Sequence, residues 1–152
     1  MKKGLFAFIS WMVIAVTSQA ADLRSPVGYW QTISDKNGQP RSVMHLYESG
    51  GILYGKAIKS LVPGDTFERP CEVCPGEFHN QPIAGMQVLW GLKEENGEWK
   101  GGKVLDADNG SIYKCKLSVS EDGQKLNIRG FIGISLLGRT QTWNRIENFS
   151  AK

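Results

Sequence analysis

From Val27 onward, apolar and polar side chains alternate in short runs, and each run ends at a turn signal. A period of two marks a strand with one face in a core. The first run spans about Val27 to Ile33 and stops at Asp35-Lys36-Asn37-Gly38, where Asn-Gly is the strongest hairpin dipeptide. Ser42 to Glu48 alternates next, with Val43, His45 and Tyr47 on one face and Met44 and Leu46 on the other. Ser49-Gly50-Gly51 reverses the chain, and Ile52 to Ser60 returns with Ile52, Tyr54, Lys56 and Ile58 in one parity.

Residues 61–82 break this rhythm. They hold Pro63, Pro70, Pro75 and Pro82, four of the six prolines, together with Cys71 and Cys74. A loop of that length in a small domain is often functional. The rhythm resumes at Met86 to Leu92, an apolar run that reads as a strand buried on both sides. Glu98 to Leu105 follows, with a bend or bulge expected at Gly101-Gly102. Ser111 to Val119 is the cleanest alternation: Tyr113, Cys115, Leu117 and Val119 against Lys114, Lys116 and Ser118. Lys125 to Phe131 and Gly138 to Ile146 complete the set, with a loop or rim segment at 133–138 between them.

Eight short antiparallel strands joined mostly by tight turns predict an all-β, single eight-stranded up-and-down barrel. Closure removes exposed strand edges. A barrel of this size is filled by side chains or holds one small ligand. Most runs are shorter than the ~9–11 residues of a membrane-spanning strand, so a membrane barrel is not expected.

The first twenty residues read differently. Lys2 and Lys3 precede the apolar run Leu5 to Val16, and Ser18-Gln19-Ala20 supplies small residues for cleavage. This is the pattern of a secretory signal peptide over residues 1–20, cut after Ala20, with the barrel domain over 21–152. The run is too short to serve comfortably as a retained anchor, and no cysteine follows for lipid attachment. The expectation is a periplasmic or secreted protein that does not span the membrane after cleavage. Removing Lys2 and Lys3 leaves 16 basic against 15 acidic residues. Such a balanced surface makes no electrostatic case for nucleic acid.

Candidate chemistry is sparse. Trp30 opens the first strand and Arg145 closes the last; an arginine stacked on an indole contributes roughly 0.5–2 kcal/mol and would plug one barrel end. The alternative is two unrelated tryptophans, Trp30 and Trp143, with Arg145 solvated. In an exported protein Cys71 and Cys74 read by default as a disulfide. A redox pair lacks the helix N-terminus that lowers a thiol pKa. A metal site would use Cys71, Cys74 and His79, with Glu72 or Glu77 as a fourth ligand. Cys115 reads as a buried free thiol, or as a partner for one of the other two. His45 reads as a hydrogen-bonded wall residue. No nucleophile motif and no phosphate-cradling glycine loop is present, so neither enzyme activity nor a cofactor is expected. Tyr47, Tyr54, Trp90, Trp99, Tyr113 and Phe131 are candidates to line a ligand cavity, or else to fill the barrel solid. The apolar residues within Ile132–Leu137 form a candidate rim patch.

The tail from Arg129 through Gly130-Phe131-Ile132-Gly133 to Trp143-Asn144-Arg145 resembles the signature of a bacterial exported family, domain of unknown function 2147. Gly28-Tyr29-Trp30, the Cys71–Cys74 pair, Gly85-Met86-Gln87-Val88-Leu89, Trp99-Lys100-Gly101-Gly102 and Asp106–Tyr113 fall in its order. The resemblance implies a lipocalin-like, calycin-type barrel without an established activity. It also strengthens the Trp30–Arg145 pairing, since calycins join an early tryptophan to a late arginine. The further motifs of lipocalins proper are missing, so a lipid pocket does not transfer with the fold. The leading expectation is a non-enzymatic barrel holding a small apolar or amphipathic ligand in the cell envelope. The alternatives are a filled barrel that contacts an envelope or extracellular protein, and a metal or thiol site on the cysteine loop.

Overall fold

The computed structural model describes residues 22–150; the expected signal peptide lies outside them. Eight strands run in chain order: β1 (Gly28–Ile33), β2 (Pro40–Ser49), β3 (Ile52–Ser60), β4 (Gln87–Glu95), β5 (Glu98–Asp106), β6 (Ser111–Val119), β7 (Lys125–Phe131) and β8 (Gly138–Ile146). Each pairs antiparallel with the next, and β8 pairs with β1 to close the barrel. The expected architecture is therefore present, with seven of the strands within about two residues of the expected bounds. β4 differs: it extends to Glu95, because its outer half pairs with β5 as far as Glu95–Glu98. β2 starts early, at Pro40, a position at the strand's first residue where a missing N–H costs no ladder bond.

Register decides which side chains point inward. Trp30 faces Met44, Leu46 faces Gly55, Gly55 faces Leu89 and Leu53 faces Leu92. Further round, Trp99 faces Leu117, Leu117 faces Ile128 and Leu126 faces Trp143. All of these apolar side chains belong to one buried cluster. Trp30, Leu46, Leu53, Leu89, Leu92 and Leu126 are completely inaccessible. The outer faces carry Lys56, Lys103, Lys114 and Lys116 instead. Apolar inside and charged outside is the reverse of an outer-membrane barrel.

Two inner glycines let the wall close on itself. A Cβ on Gly102 would lie 2.4 Å from Leu92 Cγ and 2.6 Å from the Trp90 carbonyl oxygen. A Cβ on Gly55 would lie 2.6 Å from Leu46 Cδ2. Leucines from neighbouring strands occupy the volume that larger side chains would need. The expected irregularity at Gly101-Gly102 is present as a register shift between Trp99 and Gly102.

The loop after β3 is ordered by its own bonds. Cys71 N–H donates to Gln81 O at 2.8 Å and Asn80 N–H to Cys71 O at 2.9 Å, so the segment doubles back on itself around a 3-10 turn at Gly76–Phe78. Cys71 and Cys74 form the disulfide, and both are buried. With Ile83 and Met86 they join the apolar cluster. Phe78 stacks on Trp90 with ring centroids 5.6 Å apart. Trp90 pairs with Lys103, which puts it on the outer face. The loop thus lies as a flap against the outside of β4 and β5.

Candidate functional site

The barrel has two unlike ends. At the base, the guanidinium of Arg145 sits 4.2 Å from the centroid of the Trp30 indole. Its N–H groups donate to Ser25 O at 2.6 Å, to Val27 O at 3.1 Å and to the carbonyl of Gly123. Trp30 Nε1 donates to Pro26 O at 2.8 Å. Burial lowers the pKa of Arg145, yet three carbonyls and the ring face compensate the charge. The expected plug is present: it ties the segment before β1, the β6–β7 turn and β8 together.

At the mouth the inner wall turns polar. β1 and β8 pair only through Tyr29–Ile146, Trp30–Arg145 and Gln31–Asn144. Beyond that point Asp35, in the β1–β2 turn, bridges the gap. Its carboxylate accepts from Gln141 Nε2 at 2.8 Å and lies 3.2 Å from Arg139. Trp143 Nε1 in turn donates to Gln141 Oε1 at 3.3 Å. The hydroxyls of Thr32 and Ser42, both buried, share a hydrogen bond of 2.7 Å.

The aromatic residues expected to line one cavity are divided by the barrel wall, and this corrects that expectation. Trp99 and Tyr113 lie on the inner face, Trp99 opposite Leu117 and Tyr113 opposite Val104. Tyr47 and Tyr54 are cross-strand partners on the outer face, with ring centroids 5.7 Å apart. Trp90 is outside under Phe78. Phe131 is outside too, opposite Lys114. Alternation assigns parity but not direction. Here leucines share the interior with Trp30, Trp99 and Trp143, and Tyr47 and Tyr54 stack on each other outside.

That outer stack is longer than the sequence suggests. Tyr29 and His45 lie face to face at 4.4 Å, Phe149 packs on Tyr29 at 4.6 Å, and His45 leads on to Tyr47 at 5.8 Å. Lys56 lies over Tyr47 and Lys59 over Phe149. The Tyr29–His45 contact follows from their pairing in the β1–β2 ladder, which requires the register and not merely the alternation. His45 is accordingly a wall residue on the outside, with ring contacts to Tyr29 and Tyr47 in place of the expected side-chain hydrogen bond.

The cysteine loop carries no metal geometry. The disulfide removes both thiolates from the proposed Cys71, Cys74 and His79 set. Among the described residues no cluster of three histidine, cysteine or carboxylate side chains is placed to hold an ion. A cleft of about 320 Å³ lies between Arg69, Pro70, Glu72, Val73, Ala107 and Asp108. Another, of about 330 Å³, is bounded by Pro75, Gly76, Glu77, Phe78 and Ile112. Both are lined by the cysteine loop and by Ala107, Asp108 or Ile112, and no inward-facing strand residue borders either. Cys115 is free and buried, as expected, and burial pushes its thiol up to about 12.

The rim segment between β7 and β8 is the most apolar exposed surface described. Ile132, Ile134, Leu136 and Leu137 are 70%, 59%, 83% and 76% exposed. Arg129 reaches into this loop from β7. Its Nε donates to Ser135 O and one terminal nitrogen to Leu136 O at 3.2 Å, while the other donates to Thr140 Oγ1 at 2.9 Å.

A closed eight-stranded meander plugged by tryptophan and arginine defines a lipocalin-like, calycin-type barrel. Residues 28–145 match the family described as "Uncharacterized protein conserved in bacteria (DUF2147)", and the chain belongs to that family. Among solved structures it is similar to protein HP1028 from Helicobacter pylori, described as belonging to the lipocalin family. The two share 23% identity over 82% of this chain and 84% of that one, with a TM-score of 0.71, a likeness that shows the fold. No curated protein matches the chain.

Proposed function

We propose that the protein is a non-enzymatic contact module of the bacterial cell envelope, acting through the mouth end of a filled barrel. The observation that carries this reading is the contrast between interior and rim. The leucines and tryptophans of the inner wall are 0–8% exposed, whereas four large apolar side chains stand in solvent at 132–137. A contiguous exposed apolar patch on a small protein marks an interaction site. The buried disulfide, in a bacterial family, agrees with folding in an oxidising compartment. That supports export, for which residues 1–20 supply the signal pattern.

A second reading is kept by the likeness to a lipocalin-family structure: a small apolar or amphipathic ligand held in the barrel. Native mass spectrometry of the protein purified from its own envelope fraction separates the two. The contact reading expects the bare chain mass under native conditions. A guest that leaves on denaturation would reverse the order of the readings, and its mass would identify its class.

A further inference from the structure

We infer that the Ile132–Leu137 loop is a membrane-docking tip that seats the barrel mouth on an anionic phospholipid surface. This rests on the contact reading above and names its partner. Three observations favour a bilayer over a protein. The first is exposure: the loop's four apolar side chains are 59–83% exposed, so they project as a wedge. A bilayer interface accepts such a wedge without a matching pocket.

The second is backbone chemistry. A loop entering an apolar layer must have its polar groups satisfied beforehand. Here Arg129 binds the carbonyls of Ser135 and Leu136, and Leu137 N–H donates to Ile134 O at 3.1 Å. These bonds satisfy the carbonyls of Ser135 and Leu136 and the Leu137 N–H, at the segment where the leucines project.

The third is charge. Lys114 pairs with Phe131 on the outer face at the foot of the loop, and Lys103 pairs with Lys114 one strand further round. Arg129 and Arg139 flank it on β7 and β8. Asp35, paired with Arg139, is the carboxylate that an ion pair brings to this foot. An apolar tip with basic residues at its foot suits anionic headgroups, since long basic side chains reach headgroup level while their stems stay with apolar surface.

The test is co-flotation of the mature protein with vesicles of phosphatidylglycerol and phosphatidylcholine, against phosphatidylcholine alone. Binding is expected to the anionic vesicles and to weaken in about 0.5 M salt. The double variant Leu136→Asp, Leu137→Asp should bind at least roughly tenfold more weakly. Arg139→Gln should lose about fivefold. Thermal unfolding of each variant checks that the fold is kept. No flotation with anionic vesicles, or equal flotation of the double-aspartate variant, overturns the inference. A photo-crosslinker at position 136 in the living cell separates the two levels. Crosslinks to lipid support the inference. Crosslinks to a protein or to a second copy without lipid overturn it and leave the contact reading standing. No crosslink together with no flotation removes both.

Discussion

Arg145 and Trp30 face each other as cross-strand partners of β8 and β1, with the guanidinium 4.2 Å from the indole centroid. The same arginine holds three backbone carbonyls from two other segments. Its planar fork is what allows this, and lysine offers no equivalent. Arg145→Ala should lower unfolding free energy by about 2–4 kcal/mol, from charged hydrogen bonds lost and carbonyls left unpaired. Arg145→Lys should recover less than half of that. A double-mutant cycle with Trp30→Phe in urea should give a coupling of about 0.5–2 kcal/mol. A coupling near zero would mean that Arg145 acts through the carbonyls alone.

Close packing of the inner wall makes a sharp demand on Gly102. Its missing Cβ is replaced in space by Leu92 and the Trp90 carbonyl, at 2.4 and 2.6 Å. One of these contacts is backbone and cannot rotate away. Gly102→Ala should therefore destabilise by about 1–3 kcal/mol through overpacking, measured by chemical denaturation. A neutral result would indicate slack on the inner wall, and with it room for a guest.

Much of this fold was legible because turn chemistry is local. Asn37-Gly38, Gly50-Gly51, Asn96-Gly97 and Asp122-Gly123 each sit where the chain reverses. Trp30 and Arg145 were legible as a pair because they mark the first and last strands, which must meet when a meander closes. The inner and outer faces were harder. Val43, His45 and Tyr47 alternate as well as Met44 and Leu46 do, and only the buried cluster that Met44 and Leu46 share with Leu53 and Leu89 marks the second set as inward. The clamp of Asp35 on Gln141 spans 106 residues, so no local pattern records it. The flap made by the cysteine loop was visible as an interruption, but its seat on Trp90 and Ala107 was not.

Cys115 offers a chemical check on the core. It faces Gly102 and Gly130 across the ladders and is 1% exposed. With its thiol pushed up to about 12 by burial, almost no thiolate exists at pH 8, and the thiolate is the reactive form. A thiol reagent should leave the native protein unmodified and count one thiol per chain after denaturation without reductant. Three thiols would mean that the Cys71–Cys74 bridge had not formed. Rapid labelling of the native protein would mean that the barrel opens at β6.

His45 connects the outer aromatic stack to pH. It is sandwiched between Tyr29 and Tyr47 and pairs with Lys56 across the β2–β3 ladder. Burial first, and the Lys56 charge second, lower its pKa below the ordinary 6.5. As pH falls below 6.5, the unfolded chain takes up a proton that the folded chain resists, so stability falls with it. The contribution is whole above that pH and is lost as pH drops through the folded value. His45→Phe keeps the ring stack and removes the proton, so it should flatten this part of the stability profile. Lys56→Gln should raise the midpoint of His45 in an NMR titration by removing the second cause. An unchanged acid-side slope in His45→Phe would assign the pH dependence to the carboxylates instead.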